Sequence, residues 1–163
     1  MTVWHPAYVA LGANQRQPRE QVTRALEALA GLPGTRLVAR SRLWQSPPFG
    51  PVPQPDFINA VAGLLTQLAP HALLEQLRRI ETAHGRERTV RWGPRTLDLD
   101  LLVHGVARID DAELTLPHPG IAERAFVLYP LAELAPALEV PGVGRVAELA
   151  ARVTQEGIRA LGA

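Results

Sequence analysis

The sequence predicts an α+β fold: a ferredoxin-like βαββαβ core in which helices pack on an antiparallel sheet. Three observations carry this. Four segments have the apolar character of strands, two have the apolar face of an amphipathic helix, and they follow one another as strand, helix, strand, strand, helix, strand.

The first strand is Ala7 to Leu11, a short apolar run that Gly12-Ala13-Asn14 closes with turn residues. Pro18 suits the first turn of a helix, and Val22, Ala25, Leu26 and Leu29 repeat at the spacing of one helical face. Gly31 and Gly34, on either side of Pro33, stop it. From Arg36 to Trp44 the period becomes two: Leu37, Ala39, Ser41 and Leu43 alternate with Arg36, Val38, Arg40 and Arg42, which predicts one continuous strand with a single covered face. Between Pro47 and Pro55 five of nine residues are proline, so the stretch can neither join a ladder nor coil into a helix and is expected to be a shaped loop. Phe57 to Leu65 is the third strand. A helix from about Pro70 carries Leu73, Leu77 and Ile80 on one face and stops near Gly85. Leu97 to Val103 is the fourth strand, with hairpin material over Arg108 to Leu116 and a helical region after Gly120.

With 163 residues and no internal repeat or linker, one domain covering 1–163 is expected. No apolar run approaches the ~20 residues a membrane helix needs. Met1 to Asn14 lacks the pattern of a secretory signal, and the absence of cysteine suits a reducing compartment, so the cytoplasm is the expected location. A net charge of +1 gives no reason to invoke nucleic acid or a membrane surface. All 17 basic residues are arginine, and Arg78, Arg79, Arg86, Arg88, Arg91 and Arg95 crowd into eighteen positions with only Glu81 and Glu87 opposing them. A planar, permanently charged fork matches phosphate oxygens well.

The most informative stretch runs from Arg91 to Leu102. Leu97, Leu99 and Leu101 alternate with Asp98 and Asp100, so on a strand the leucines enter the core and the two carboxylates share the opposite face. Residues two apart on a strand are separated by about 6.6 Å, within reach of two cations about 3.5–4 Å apart. Magnesium takes such hard oxygen ligands and completes its shell with water and phosphate. An isolated Asp-x-Asp is more often a solvated strand face, but aspartate is depleted in strands and like charges repel there. Arg91 and Arg95, flanking Gly93-Pro94, put phosphate-binding groups directly before the carboxylates. Metal ions and cations that neutralise the transferred group are the main ingredients of phosphoryl-type transfer.

The run Trp92-Gly93-Pro94-Arg95-Thr96-Leu97-Asp98-Leu99-Asp100 resembles the signature of the hydroxymethyldihydropterin pyrophosphokinase family. The resemblance extends through Leu11-Gly12-Ala13-Asn14, Ser46 to Pro51, Gln54 to Asn59, Gly85 to Arg88 and Leu116 to Pro119, in the family's order. It implies the same ferredoxin-like core and an enzyme of folate synthesis that moves a pyrophosphoryl group from ATP to 6-hydroxymethyl-7,8-dihydropterin, releasing AMP. It also implies two magnesium ions held by Asp98 and Asp100, and catalytic roles for Arg86, Arg88 and Arg95 beside them. On the ATP side it implies Arg88, Arg91, Trp92, Arg95, His118 and Arg124. For the pterin, Phe57 and Phe126 match an aromatic sandwich, Asn59 a hydrogen-bonding amide, Trp92 a closing indole, and Ser46, Pro47 and Phe49 the wall at the ring's edge. Arg78 departs from a frequent glutamine of the family, and the segment from Arg88 to Arg91 is a residue shorter than in some relatives. A monomer is expected.

Taken singly, Phe57 and Phe126 read as core packing and His118 as a turn cap. Two other functions compete at this level. An RNA-binding module on the same fold would need aromatic strands, yet only 8 residues are aromatic and none sits in a basic-Gly-aromatic strand motif. Another two-metal transferase would share the aspartates but has no use for Asn59 between aromatic walls, and its products would differ.

Overall fold

The computed structural model describes residues 2–48, 50–85 and 96–162. Phe49, Arg86, Arg88, Arg91, Trp92 and Arg95, all expected at the site, lie outside the described residues.

The chain begins with β1 (His5–Ala13), longer at both ends than its apolar run, followed by α1 (Pro18–Ala30). β4 (Phe57–Thr66) pairs antiparallel with β1 along its whole length, and α2 (Pro70–Ala83) leads toward β5 (Asp98–His104), which pairs with the other edge of β1.

The strand expected over Arg36 to Trp44 is two strands. β2 (Thr35–Arg40) pairs with the second half of β4, β3 (Trp44–Ser46) with the first half. Ser41 is the joint: its amide donates to the Val61 carbonyl at 2.9 Å and its Oγ accepts the Val61 amide at 2.9 Å. The hydroxyl thus replaces a backbone acceptor, and the chain slips. The pairing slips twice, between Leu37 and Ala39, whose partners Leu64 and Gly63 are adjacent, and again after Ser41, beyond which Trp44 and Ser46 are the buried residues. A one-residue slip moves side chains to the other face, so the regular alternation of the sequence concealed the break.

The sheet order is β5-β1-β4 with β2 and β3 beside β4, the expected βαββαβ arrangement, and β10 (Arg159–Ala160) adds to β3. Its two faces are clothed differently. On one, Ala7, Val9 and Leu11 with Ala60, Ala62, Leu64, Leu99 and Leu101 pack under Val22, Leu26 and Leu29 of α1 and Leu73 and Leu77 of α2. On the other, Ala10, Val61 and Val103 meet Val127, Leu128 and Leu131 of α3 (Ala125–Leu134), backed by Val146 and Leu149 of α4 (Val146–Arg152). The region after Gly120 is therefore a second helical layer. Between β5 and α3 lies a two-stranded ribbon, β6 (Ile109–Asp110) and β7 (Thr115–Leu116), and β8 (Glu139–Val140) pairs with β9 (Gly144–Arg145) before α4.

Candidate active site

α3 leaves one end of its sheet face uncovered by apolar side chains, and the expected polar residues gather there. Gly12 pairs with Asn59 of β4 on one side and with Asp98 of β5 on the other; one step along, Ala10 pairs with Val61 and Asp100. Trp44 of β3 pairs with Asn59, and Ser46 with Phe57. By strand alternation Ser46, Phe57, Asn59, Asp98 and Asp100 thus share one face, the one opposite Leu99 and Leu101.

Gly12 serves here by its missing side chain. A Cβ at this position would come within 3.3 Å of Asn59 Oδ1 and 3.9 Å of Phe57 Cδ1. A side chain here would press on the amide oxygen and displace it slightly, whereas the Phe57 ring lies at ordinary contact distance. Asn59 is 4% exposed, and its Nδ2 donates to Ser46 Oγ at 2.6 Å, which fixes the amide plane. A buried amide held this way presents an ordered polar edge.

Asp98 and Asp100 are half-buried, while Leu97, Leu99 and Leu101 are buried as the alternation requires. The residue between the carboxylates is fastened from behind by Glu81, buried on α2, whose Oε2 accepts the Leu99 amide at 2.8 Å. Sequence reasoning counted Glu81 only as a charge opposing arginines. The signal that would have found it is its place one residue after Ile80 and four after Leu77, on the apolar face of α2.

His118 reaches the same face from the segment after β7. Its amide donates to the Leu102 carbonyl at 2.9 Å, its Nδ1 accepts the Gly120 amide at 3.2 Å, and its Nε2 lies 3.8 Å from Asp100 Oδ1. Burial first, then the charge of Arg124, pushes the His118 pKa down to about 4, against a smaller upward pull from Asp98. At neutral pH the ring is uncharged, so the 3.8 Å approach to Asp100 is not an ion pair. With Nδ1 accepting, the single proton sits on Nε2 and faces the carboxylate side. Arg124 packs against Gly120, where a Cβ would come within 2.6 Å of its Nε, and its guanidinium lies 5.9 Å from the centre of the Phe126 ring. Phe57 and Phe126 are each half-buried, on β4 and on the α3 that packs over it. Pro47 is exposed and rests against Gly157.

One further residue escaped the sequence. Asn14 is 3% exposed and its Nδ2 donates to Gln54 Oε1 at 2.8 Å and to the Pro55 carbonyl at 3.0 Å, tying the proline-rich loop to the end of β1.

The arrangement was compared with known proteins. The family described as 7,8-dihydro-6-hydroxymethylpterin-pyrophosphokinase (HPPK) matches residues 8–136. This chain belongs to the HPPK family. Among its HPPK relatives, the 2-amino-4-hydroxy-6-hydroxymethyldihydropteridine pyrophosphokinase of Pseudomonas aeruginosa is 53% identical over 94% of this chain and 95% of its own length. The proteins of the same description from Haemophilus influenzae and Bacillus subtilis are 47% and 37% identical, over 88% and 94% of this chain and 89% and 88% of theirs. The crystal structure of Plasmodium falciparum HPPK-DHPS wild type with pteroate shares the HPPK fold with a TM-score of 0.73 at 13% identity, over 93% of this chain. This chain spans 43% of that longer one.

Proposed function

We propose that this chain is a 2-amino-4-hydroxy-6-hydroxymethyldihydropteridine pyrophosphokinase, acting as one catalytic domain that transfers pyrophosphate from ATP to the hydroxyl of 6-hydroxymethyl-7,8-dihydropterin in folate biosynthesis. The observation that carries the reading is the row Asn59, Gly12 and Asp98 across two neighbouring strand pairings of one sheet face, with Ser46 hydrogen-bonded to Asn59, which sets a fixed amide edge beside a carboxylate pair. A flat heterocycle needs such an edge together with aromatic walls, and a triphosphate needs the oxygen donors and cations next to it.

The donor set fits magnesium. Asp98 and Asp100 offer hard oxygens on one face, and among the described residues no group of three or more acidic, histidine or cysteine side chains gathers to complete a cage. Water and substrate phosphates would fill the shell, as this ion favours. Bound there, two magnesium ions would neutralise phosphate charge and lower the pKa of the pterin hydroxyl. The hydroxyl oxygen then bonds to the β-phosphorus, the bond from that phosphorus to the bridging oxygen of AMP breaks, and the hydroxyl proton is released.

The chain's own residues position these partners. Asn59 holds the pterin by its polar edge, with Phe57 and Phe126 against its faces, each well-placed aromatic contact contributing about 0.5–1.5 kcal/mol. Neutral His118 offers its Nε2 proton to a phosphate oxygen, and Arg124 adds a fixed cation beside it. Arg86, Arg88, Arg91, Arg95 and Trp92 complete the nucleotide side in this reading, Ser46, Pro47 and Phe49 the pterin side, and the chain acts as a monomer. Among the described residues no helix is long and apolar enough to cross a membrane.

The deciding experiment is incubation with ATP, magnesium and the reduced pterin, with chromatography for AMP and pterin diphosphate. Both products are expected in equal amounts. ADP, or pyrophosphate set free, would assign the chain to another transferase chemistry.

A further inference from the structure

A second basic site lies on the other side of the sheet, where β1 hands over to α1 and α2 ends. Arg16, Gln21, Arg24, Ala83, His84 and Gly85 line an open cavity of about 300 Å³ there. It is separate from the carboxylate row: α1 and α2 cover the face that carries Leu99 and Leu101, not the one that carries Asp98 and Asp100.

Several features of this cavity exceed what packing α1 against α2 requires. Among the described residues neither Arg16 nor Arg24 has an ion-pair partner, and Gln21, Ala83 and Gly85 bring no opposing charge. Arg16 and Arg24 line one cavity as like charges, and an anion bound between them would offset their repulsion. The backbone is also held in an uncommon shape, with Arg16 at φ 52° and Gln17 at φ 60°, a left-handed pair just before the helix. Such conformations persist where their surroundings impose them. Gln21 does so: buried on α1, its Nε2 donates to the Arg16 carbonyl at 3.1 Å and its Oε1 accepts from His84 Nδ1. One side chain thereby fixes the Arg16 backbone and the His84 ring together. Gly85, at φ +77°, lets the Arg16 guanidinium approach; a Cβ there would stand 3.1 Å from its Nη1.

We propose that this cavity is a binding site for a multiply charged phosphate-type oxyanion, held between Arg16 and Arg24 with the His84 ring at its edge. Guanidinium forks suit tetrahedral phosphate oxygens, and the cavity stands at the small end of ligand sites, about 300–1,000 Å³. The chemistry is shared by inorganic phosphate, by pyrophosphate and by the terminal phosphates of a nucleotide. With Nδ1 donating to Gln21, Nε2 is the titrating nitrogen of His84. Burial and then the charge of Arg24 hold its pKa below the ordinary value, so an anion that neutralises Arg24 should raise it.

The test is an NMR titration of the His84 ring in the full chain at constant ionic strength, with inorganic phosphate, pyrophosphate and ATP in separate arms and chloride as control. A saturable shift with phosphate or pyrophosphate, accompanied by a rise in the His84 pKa, is expected. Arg24→Gln, on an exposed helix position, should weaken it about tenfold, the scale of a charge-assisted hydrogen bond, while leaving the melting temperature and AMP production level. If ATP alone moves the resonance and Arg24→Gln abolishes the effect, the source is a nucleotide tail and the site stands. Absence of a saturable shift with all three anions, or a shift that Arg24→Gln and Arg16→Gln both leave intact, overturns the proposal. None of these outcomes depends on the transfer reaction, so its failure and that of the proposed function are separable.

Discussion

Gly12 and Asn59 act as a unit. The amide oxygen of Asn59 occupies the space a Cβ on Gly12 would claim, at 3.3 Å, and its nitrogen is bonded to Ser46. Gly12→Ala should therefore displace the amide by a few tenths of an ångström, weakening pterin binding with little effect on ATP binding, as calorimetric titration with each ligand will show. Asn59→Ala goes further, since it leaves the buried Ser46 hydroxyl unpaired, at a cost of about 1–3 kcal/mol in folding stability, read as a lower denaturant midpoint, together with a loss of pterin affinity. Equal losses for both ligands would mean general structural damage instead. Asn59 was legible in the sequence because an amide inside an apolar strand demands partners. Glu81 stood out only as a charge on the apolar face of α2, and Asn14 only as a turn residue. Their roles depend on which backbone groups lie opposite once the sheet has formed, Leu99 for one and Pro55 for the other, and no local pattern carries that information.

At the scale of elements, periodicity located α1, α2, β1, β4 and β5 because each repeats its apolar residues at the spacing of its own geometry. It failed where a side chain took over a backbone role. By pattern Ser41 could be any small residue, yet its hydroxyl takes the Val61 amide where β2 ends, and the pairing slips by one residue before β3. Ser46 reaches Asn59 only because of that slip. Ser41→Ala should leave the buried Val61 amide unpaired, costing about 1–3 kcal/mol, and should lower pterin affinity more than ATP affinity because β3 carries the pterin edge. Amide exchange at Val61, compared with exchange at Leu64 farther along β4, locates the loss. If both amides exchange faster by the same factor, the joint has no special role. The second helical layer was foreseen only as a helical region. The apolar residues of α3 surround Pro130 within a mostly hydrophobic segment, which gives periodicity little contrast to read.

For the whole molecule, stability and function are supported from opposite directions. Most of the fold is held by two apolar layers, whereas Asp98 and Asp100 set two like charges on one face of the sheet between them. The two should separate on substitution. Leu149→Ala, in the layer behind α3 and 4% exposed, should cost about 2–5 kcal/mol through lost burial and a cavity. It should leave turnover per folded molecule unchanged. Asp98→Asn and Asp100→Asn should do the reverse, since each keeps shape and a coordinating oxygen while removing a charge. The melting temperature without ligand should stay level or rise slightly, and AMP production should collapse. Ligand linkage reads both at once. A ligand at a hundredfold its dissociation constant stabilises the folded state by about 2.7 kcal/mol, so magnesium with a non-hydrolysable ATP analogue should raise the melting temperature of the parent chain and of Leu149→Ala by similar increments. In the Asp98→Asn, Asp100→Asn double variant that magnesium-dependent increment should vanish although the ligand-free melting temperature is intact. Two solvated aspartates would instead leave increment and activity untouched, and two aspartates bracing the fold would lower the ligand-free melting temperature, so a single set of melting curves read beside AMP production separates metal binding from both.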